Sequence, residues 1–329
     1  MVLPQIFSNR QLKTITITIV VFTLVYLIIN IFIIGGDFFV FSIDSSVNAP
    51  LAIINAITAA FIWRQIDKQR RTLWAGLVAG WALWALAETI WGVYSILGEE
   101  VPYPSPADFF WIIGYIPLAI GLLTRMRTMP VKPNRSQTGL IWVVSVTTVI
   151  VTAIYIFIPI IQSFDPQYLL ESFINLFYPL ADIFLVIIVW RLFFTYERGA
   201  YGFIWRLLTL GFILMAFSDF VFTYATWQEI YYPDMKATVL SRLFVDVPYT
   251  MSYLLWLIGL FSFRTLLLEK PAIKPAVEPE RVPPYYGHVL IATKGDDTLI
   301  NSSPNFSRLF GSEPSKGKSL GEVLGISSQ

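Results

Sequence analysis

Eight blocks of roughly twenty apolar residues, separated by short turns that hold most of the charge, confine this chain to one class of fold. At about 1.5 Å per residue, a helix of that length crosses the hydrocarbon core of a bilayer. The blocks run at 14–36, 47–65, 72–97, 106–127, 138–162, 171–195, 204–228 and 239–268. Apolar residues make up 56% of the chain and charged residues 14%, against roughly 25% charged in a soluble domain. That surplus has no use in water. The expected architecture is an all-α polytopic membrane bundle of eight transmembrane helices over residues 1–268.

The turns alternate in sign. Arg10 and Lys13 precede the first span, Arg64, Lys68, Arg70 and Arg71 follow the second, and Arg125, Arg127, Lys132 and Arg135 follow the fourth. Arg191, Arg198 and Arg206 flank the turn after the sixth, and Arg264, Lys270 and Lys274 follow the eighth. The other turns are acidic, with Lys236 and Arg242 as exceptions. Because Lys and Arg remain on the cytoplasmic side, both termini are expected inside a cell (inner) membrane. The first block is too long for a signal-peptide core.

Several chemistries are excluded. A net charge of +1 gives no basic face for nucleic acid. The chain has no cysteine, and its single histidine, His288, lies outside the spans, so thiolate, haem and His-based metal chemistry have no ligands in the membrane part. No lysine sits inside a span to form a Schiff base, and no Gly-rich phosphate loop, HExxH or Ser-His-Asp set is present.

Spans three and four contain WALWALAETIWGVYSILGEEVPYPSPADFFWIIGYIPLAIGLL, and spans seven and eight contain a second version of the same pattern. Glu88 matches Asp219, Asp108 matches Asp246, and seven residues after the latter two come Tyr115 and Tyr253. Aligning Trp63-Arg64 with Trp190-Arg191 sets Asn55 opposite Asp182. The expectation is a four-plus-four duplication, repeats about 1–130 and 131–268, around a pseudo-twofold axis along the membrane normal, with any site near the interface of the halves.

On a helix, Trp81, Trp84, Glu88 and Trp91 share one face. Phe212, Met215, Asp219 and Phe222 do the same on span seven, Asp108, Trp111, Tyr115 and Leu118 on span four, and Asp246, Tyr249, Tyr253 and Trp256 on span eight. Asp182, with Tyr178 one turn above, completes the set. A carboxylate at the centre of a membrane helix costs about 2.5–3.5 kcal/mol, so it must face the interior, be protonated or be paired; Arg242, one turn before Asp246, is the expected partner. Carboxylates beside aromatic faces suit an amine or quaternary ammonium, at about 0.5–2 kcal/mol per cation–π contact. The candidate ligand-binding residues are therefore Trp84, Glu88, Trp91, Asp108, Tyr115, Asp182, Asp219, Arg242, Asp246 and Tyr253. Other roles compete for some of them. Ser105-Pro106-Ala107-Asp108 fits a capped helix start, Asp246 followed by Pro248 fits another, and Trp or Tyr near a surface serves as an interfacial anchor. Glu88 and Asp219 lie too deep to be caps.

Residues 269–286 form a Pro-rich linker, with Pro271, Pro275, Pro279, Pro283 and Pro284 forbidding a continuous helix. Beyond it, Val289-Leu290-Ile291 and Thr298-Leu299-Ile300 read as strands around Gly295-Asp296-Asp297, and Pro304 to Phe310 as a short helix. This order, with Asn301, Leu309-Phe310-Gly311 and Gly317-Lys318-Ser319-Leu320, resembles the beginning of a PAS domain, so 287–329 is expected to be a partial α/β PAS-like segment that stops before the later strands. The run Pro104-Ser105-Pro106-Ala107-Asp108, then Gly114-Tyr115 and Gly121-Leu122, resembles the multipass input regions of bacterial PAS-containing signalling proteins. That resemblance implies signal transduction, with a histidine kinase (two-component) or diguanylate cyclase output further along a longer protein. No catalytic output domain lies within 1–329.

The sequence thus supports a sensory input module that binds a small ligand, or responds to protonation, in an outward-facing acidic–aromatic pocket. The alternative is a polytopic enzyme or transporter acting on a lipid or cation through intramembrane carboxylates. Expected partners are the bilayer, a small cationic or amphipathic ligand and a second copy of the chain.

Overall fold

The computed structural model describes residues 10–97, 102–129, 132–195, 199–268, 291–293 and 299–302. Eight helices in it are long and apolar enough to cross a membrane. They are α1 (Arg10–Phe32), α2 (Asp37–Gln65), α3 (Arg71–Leu97), α4 (Pro106–Arg127), α5 (Arg135–Gln162), α6 (Leu169–Thr195), α7 (Gly199–Trp227) and α8 (Leu240–Leu268). Helices are the expected outcome, because lipid offers backbone groups no partners and an α-helix satisfies them within one segment. Helix starts follow the local chemistry. Ser105 and Asp108 form a reciprocal capping box at α4 with Pro106 in the first turn, and Asn134 and Gln137 do so at α5.

The chief departure from the expected spans is α2. Its helix begins ten residues earlier than the apolar block, at Asp37, and is broken only at Val47 between Asp37–Ser46 and Asn48–Gln65. The segment carrying Asp44 is therefore part of the bundle and not a turn. A second irregularity lies in α8, which opens with a π-helical stretch, Leu240–Asp246. The helix continues through it into Val247–Leu268, so Asp246 is not a helix start. Ser218 on α7 donates its hydroxyl to the Val245 carbonyl (2.7 Å), satisfying a group that the widened turn leaves available.

α3 is the most buried span, and α1 and α5 are the least. Its close approach to α4 depends on small residues. A Cβ placed on Gly76 would lie 2.5 Å from the Pro117 carbonyl oxygen and 2.8 Å from the Gly121 amide nitrogen. One turn on, Gly80 opens space for the Leu118 side chain, giving the small-xxx-small spacing by which membrane helices bring backbones together. The arrangement recurs between α7 and α8. Gly211 there makes room for Trp256, with the Ser252 carbonyl 3.0 Å from the same point, and Gly259 faces Leu208 as Gly121 faces Leu77.

Counterparts on α3 and α7 also meet each other. Trp81 stacks on Phe212 at 6.1 Å with 13° between planes, and Trp74 meets Trp205 at 6.4 Å. Seven residues further along each helix are Glu88 and Asp219. Tyr115 of α4 bonds Asp182 of α6 (2.7 Å), and Asn55 of α2 bonds the Tyr253 carbonyl of α8 (2.9 Å).

The chain divides into two units, Met1–Lys270 and Pro271–Gln329. In the second, strands β1 (Ile291–Thr293) and β2 (Leu299–Ser302) pair antiparallel, Ile291 opposite Ser302, with a register irregularity after Ala292. Both strands begin one or two residues later than the sequence pattern predicts. The Pro-rich linker, His288, the helix expected at 304–310 and the Gly317–Leu320 motif fall outside the described residues.

Candidate functional site

Glu88 on α3 is 2% exposed. Its Oε1 accepts hydrogen bonds from the Tyr249 hydroxyl (2.6 Å), the Tyr253 hydroxyl (2.9 Å) and Trp111 Nε1 (3.3 Å). One oxygen thus gathers donors from α4 and α8. Glu88 also lines a cavity between the helices. Bonds of this kind to a carboxylate are among the stronger ones in proteins.

Asp219 on α7 faces the same cavity from the opposite helix. It lies within electrostatic reach of Asp182 and Glu88 and beside the Tyr115 hydroxyl, but that hydroxyl's single hydrogen goes to Asp182 Oδ1 at 2.7 Å. Asp182 is fully buried, and its Oδ2 has no donor among the described residues. Tyr115 is packed edge-on against Trp84 at 5.3 Å. Trp84 is itself fixed by a bond from its Nε1 to the Trp111 carbonyl, 3.1 Å.

Asp108 serves two ends at once. Its Oδ2 caps α4 through the Ser105 amide (2.6 Å) and hydroxyl (2.9 Å), and its Oδ1 accepts from Tyr178 of α6 at 2.7 Å. The capping role expected from the sequence is present, and it leaves Asp108 on the cavity wall.

A second carboxylate pair sits nearby. The Tyr232 hydroxyl lies 2.9 Å from Asp44 Oδ2 and 2.8 Å from Asp246 Oδ2. Tyr231 donates to Asp246 Oδ1 at 2.9 Å, and Asn30 to Asp44 Oδ1 at 3.0 Å. Burial, with the charges of Asp246 and Asp44 beside it, holds the Tyr232 phenol well above its ordinary pKa, so its hydrogen stays on. A single phenolic hydrogen thus lies between two carboxyl groups, which draws Asp44 of α2 and Asp246 of α8 to one hydroxyl. These bonds also hold a turn that needs holding: Glu229, Tyr232 and Asp234 all adopt positive φ without being glycine, a conformation uncommon for such residues. Tyr232→Phe is expected to cost about 1–3 kcal/mol, as when a buried acceptor loses its donor. A thermal melt of the purified protein checks this, with exposed Tyr168→Phe unchanged; equal melting temperatures would remove the bridge from the account.

The cavity between these groups has a volume of about 120 Å³. Five carboxylates reach it, those of Asp44, Glu88, Asp108, Asp219 and Asp246, and among the described residues no lysine, arginine or histidine does. Its walls are aromatic: Trp91 meets Trp111 at 5.7 Å and Phe222 meets Tyr231 at 4.8 Å.

Of the residues singled out from sequence, Trp84, Glu88, Trp91, Asp108, Tyr115, Asp219 and Asp246 line this cavity. Tyr253 stands behind Glu88, and Asp182 behind Tyr115. Arg242 does not partner Asp246 as expected. Its Nε donates to the Ala237 carbonyl (3.0 Å), its Nη1 has no partner among the described residues, and tyrosines hold Asp246 instead. Sequence reasoning missed Asp44 and the turn tyrosines 231 and 232. Only the Tyr-Tyr pair between acidic residues signalled them.

Comparison with protein-family models, with curated proteins and with solved structures yields no match to this chain.

Proposed function

We propose that this multipass helical membrane protein is a sensory input module whose acidic–aromatic cavity binds a small organic cation. The observation that carries the reading is the lining itself: five carboxylates, nine aromatic side chains and no basic side chain among the described residues. An ammonium gains charge neutralisation from the acids and cation–π attraction from the rings. An anion gains nothing. The recurrence of the α3–α4 contacts in α7–α8 supports a four-plus-four duplication, in which both halves supply walls of one site. Binding then bears on the fit of the halves, and that fit is the signal passed to the cytoplasmic PAS-like segment at 287–329. The loop charges support this orientation.

The reading is tested on the full chain in lipid nanodiscs, following tryptophan fluorescence on titration with methylammonium, tetramethylammonium and acetate. Saturable quenching by the cations alone is expected; no response to either cation overturns the proposal. A transporter is the second reading, favoured by the nearness of Glu88, Asp182 and Asp219 from three helices of both halves, as at the central site of repeat-built carriers. Methylammonium flux into proteoliposomes would establish it in place of the sensor.

A further inference from the structure

The cavity is not closed on every side. Among the described side chains that line it, one is exposed: Tyr103, at 38%, in the turn that leads into α4. Its hydroxyl donates to Asn175 Oδ1 on α6, another lining residue. Two further bonds join α4 to the same face of α6, on which Asn175, Tyr178 and Asp182 follow one another by three and four residues. Tyr178 donates to Asp108 at 2.7 Å, and Tyr115 donates to Asp182 at 2.7 Å. Exposure falls along the series: Asp108 and Tyr115 are 5% exposed, and Asp182 is fully buried. The Tyr103–Asn175 pair therefore stands where the cavity meets the outside of the bundle. Glu171, one helical turn before Asn175, comes within electrostatic reach of Tyr103 without lining the cavity.

We propose that this is the cation's entrance: a mouth between α6 and the turn before α4, gated by the Tyr103–Asn175 hydrogen bond, with Glu171 as the outer carboxylate that draws cations in. This rests on the cation reading above and adds the route and the residues that select along it. Tyr103 precedes the span that begins at Pro106, so the mouth opens to water and not to hydrocarbon. Its one bond joins two neutral side chains, the weaker kind. The bonds behind it end on carboxyl groups, so the mouth opens while the deeper seam holds. A carboxylate at a narrow entrance raises the local concentration of cations and their rate of entry.

The test uses the full chain in phosphatidylcholine nanodiscs. The chain has no cysteine, so Thr223→Cys, on the α7 wall of the cavity, places a single thiol inside it. Two methanethiosulfonates are compared, the permanently charged trimethylammonioethyl and the neutral hydroxyethyl reagent, each relative to its rate with a free thiol. The charged reagent is expected to react about tenfold faster than the neutral one, as electrostatic steering provides. Glu171→Gln should remove most of that advantage and leave the neutral rate as it was. Asn175→Trp, filling the mouth, should protect the thiol from both reagents, whereas Gln228→Trp, on the exposed turn after α7, should protect it from neither. Thr223→Cys that reacts with neither reagent, or Asn175→Trp that changes neither rate, overturns the proposal. Melting temperatures show which variants are folded; should Asn175→Trp melt below the parent, an unchanged charged-reagent rate in Glu171→Gln is the overturning result. If the two reagents react alike and methylammonium gives no protection, yet Asn175→Trp still blocks both, the mouth stands and the cation reading falls.

Discussion

Gly76→Val is expected to leave little folded protein, whereas Gly139→Val should melt as the parent does. The difference lies in what a Cβ would meet. At Gly76 it is backbone, the Pro117 carbonyl at 2.5 Å and Gly121 at 2.8 and 2.9 Å; at Gly139 nothing lies within 4 Å. Backbone cannot rotate away, so α3 and α4 must separate along their length. Overpacking costs about 1–3 kcal/mol where side chains can adjust, and more here. The same argument ranks a third variant: Gly211→Val meets the Trp256 ring at 2.5 Å, a side chain that can shift at the loss of its bond to the Leu208 carbonyl. The expected order of melting temperature is Gly139→Val, then Gly211→Val, then Gly76→Val. Gly76→Val melting like Gly139→Val would mean that α3 and α4 do not pack as described.

The separation of α3 and α4 has a functional consequence. Trp84, Glu88 and Trp91 ride on α3, and their partners Trp111, Tyr249 and Tyr253 come from α4 and α8. Helix spacing therefore sets whether Oε1 of Glu88 can receive three donors at once. A small-residue seam at one end of the helix positions the acid at the other.

How much of this could be read from the chain depends on the range of the interaction. Hydropathy over twenty residues is a local property, so all eight helices were legible. A carboxylate inside such a block is conspicuous for the same reason, and Glu88, Asp182 and Asp219 stood out at once. The Ser105–Asp108 cap was legible because it spans three residues. Asp44 was not, because its helix begins outside the apolar block, at an acidic residue, and is committed to the bundle by contacts far along the chain, such as Tyr232, 188 residues away. The Arg242–Asp246 pairing failed on geometry. Four residues apart would join them on an α-helix, but Leu240–Asp246 is π-helical, and one wider turn breaks the i, i+4 relation. The donors to Glu88 were visible as residues but not as partners. Tyr249 and Tyr253 are 161 and 165 residues away, and only the duplicated pattern hinted that spans three and eight share a wall.

Glu88→Gln and Glu88→Ala are expected to separate the ligand-binding role of this acid from its structural one. Glutamine is nearly isosteric and keeps a carbonyl oxygen that accepts from Tyr249, Tyr253 and Trp111, so the bundle should melt close to the parent. It removes the charge. A hydrogen bond to a charged group is worth about 1.5–3 kcal/mol, so methylammonium binding should weaken about 10- to 150-fold, the same difference in affinity units. Alanine removes the acceptor altogether and leaves two buried hydroxyls and an indole N–H without a partner, each costing about 1–3 kcal/mol. Its melting temperature should fall well below that of the glutamine variant. Asp219→Asn supplies the comparison on α7: among the described residues its carboxylate has only the Tyr115 hydroxyl beside it, whose hydrogen goes to Asp182, so binding should weaken while stability holds. If glutamine at 88 binds methylammonium as the parent does, the carboxylate is there for the tyrosines and not for a ligand. The cavity would then have lost its central charge without consequence, and the cation reading with it.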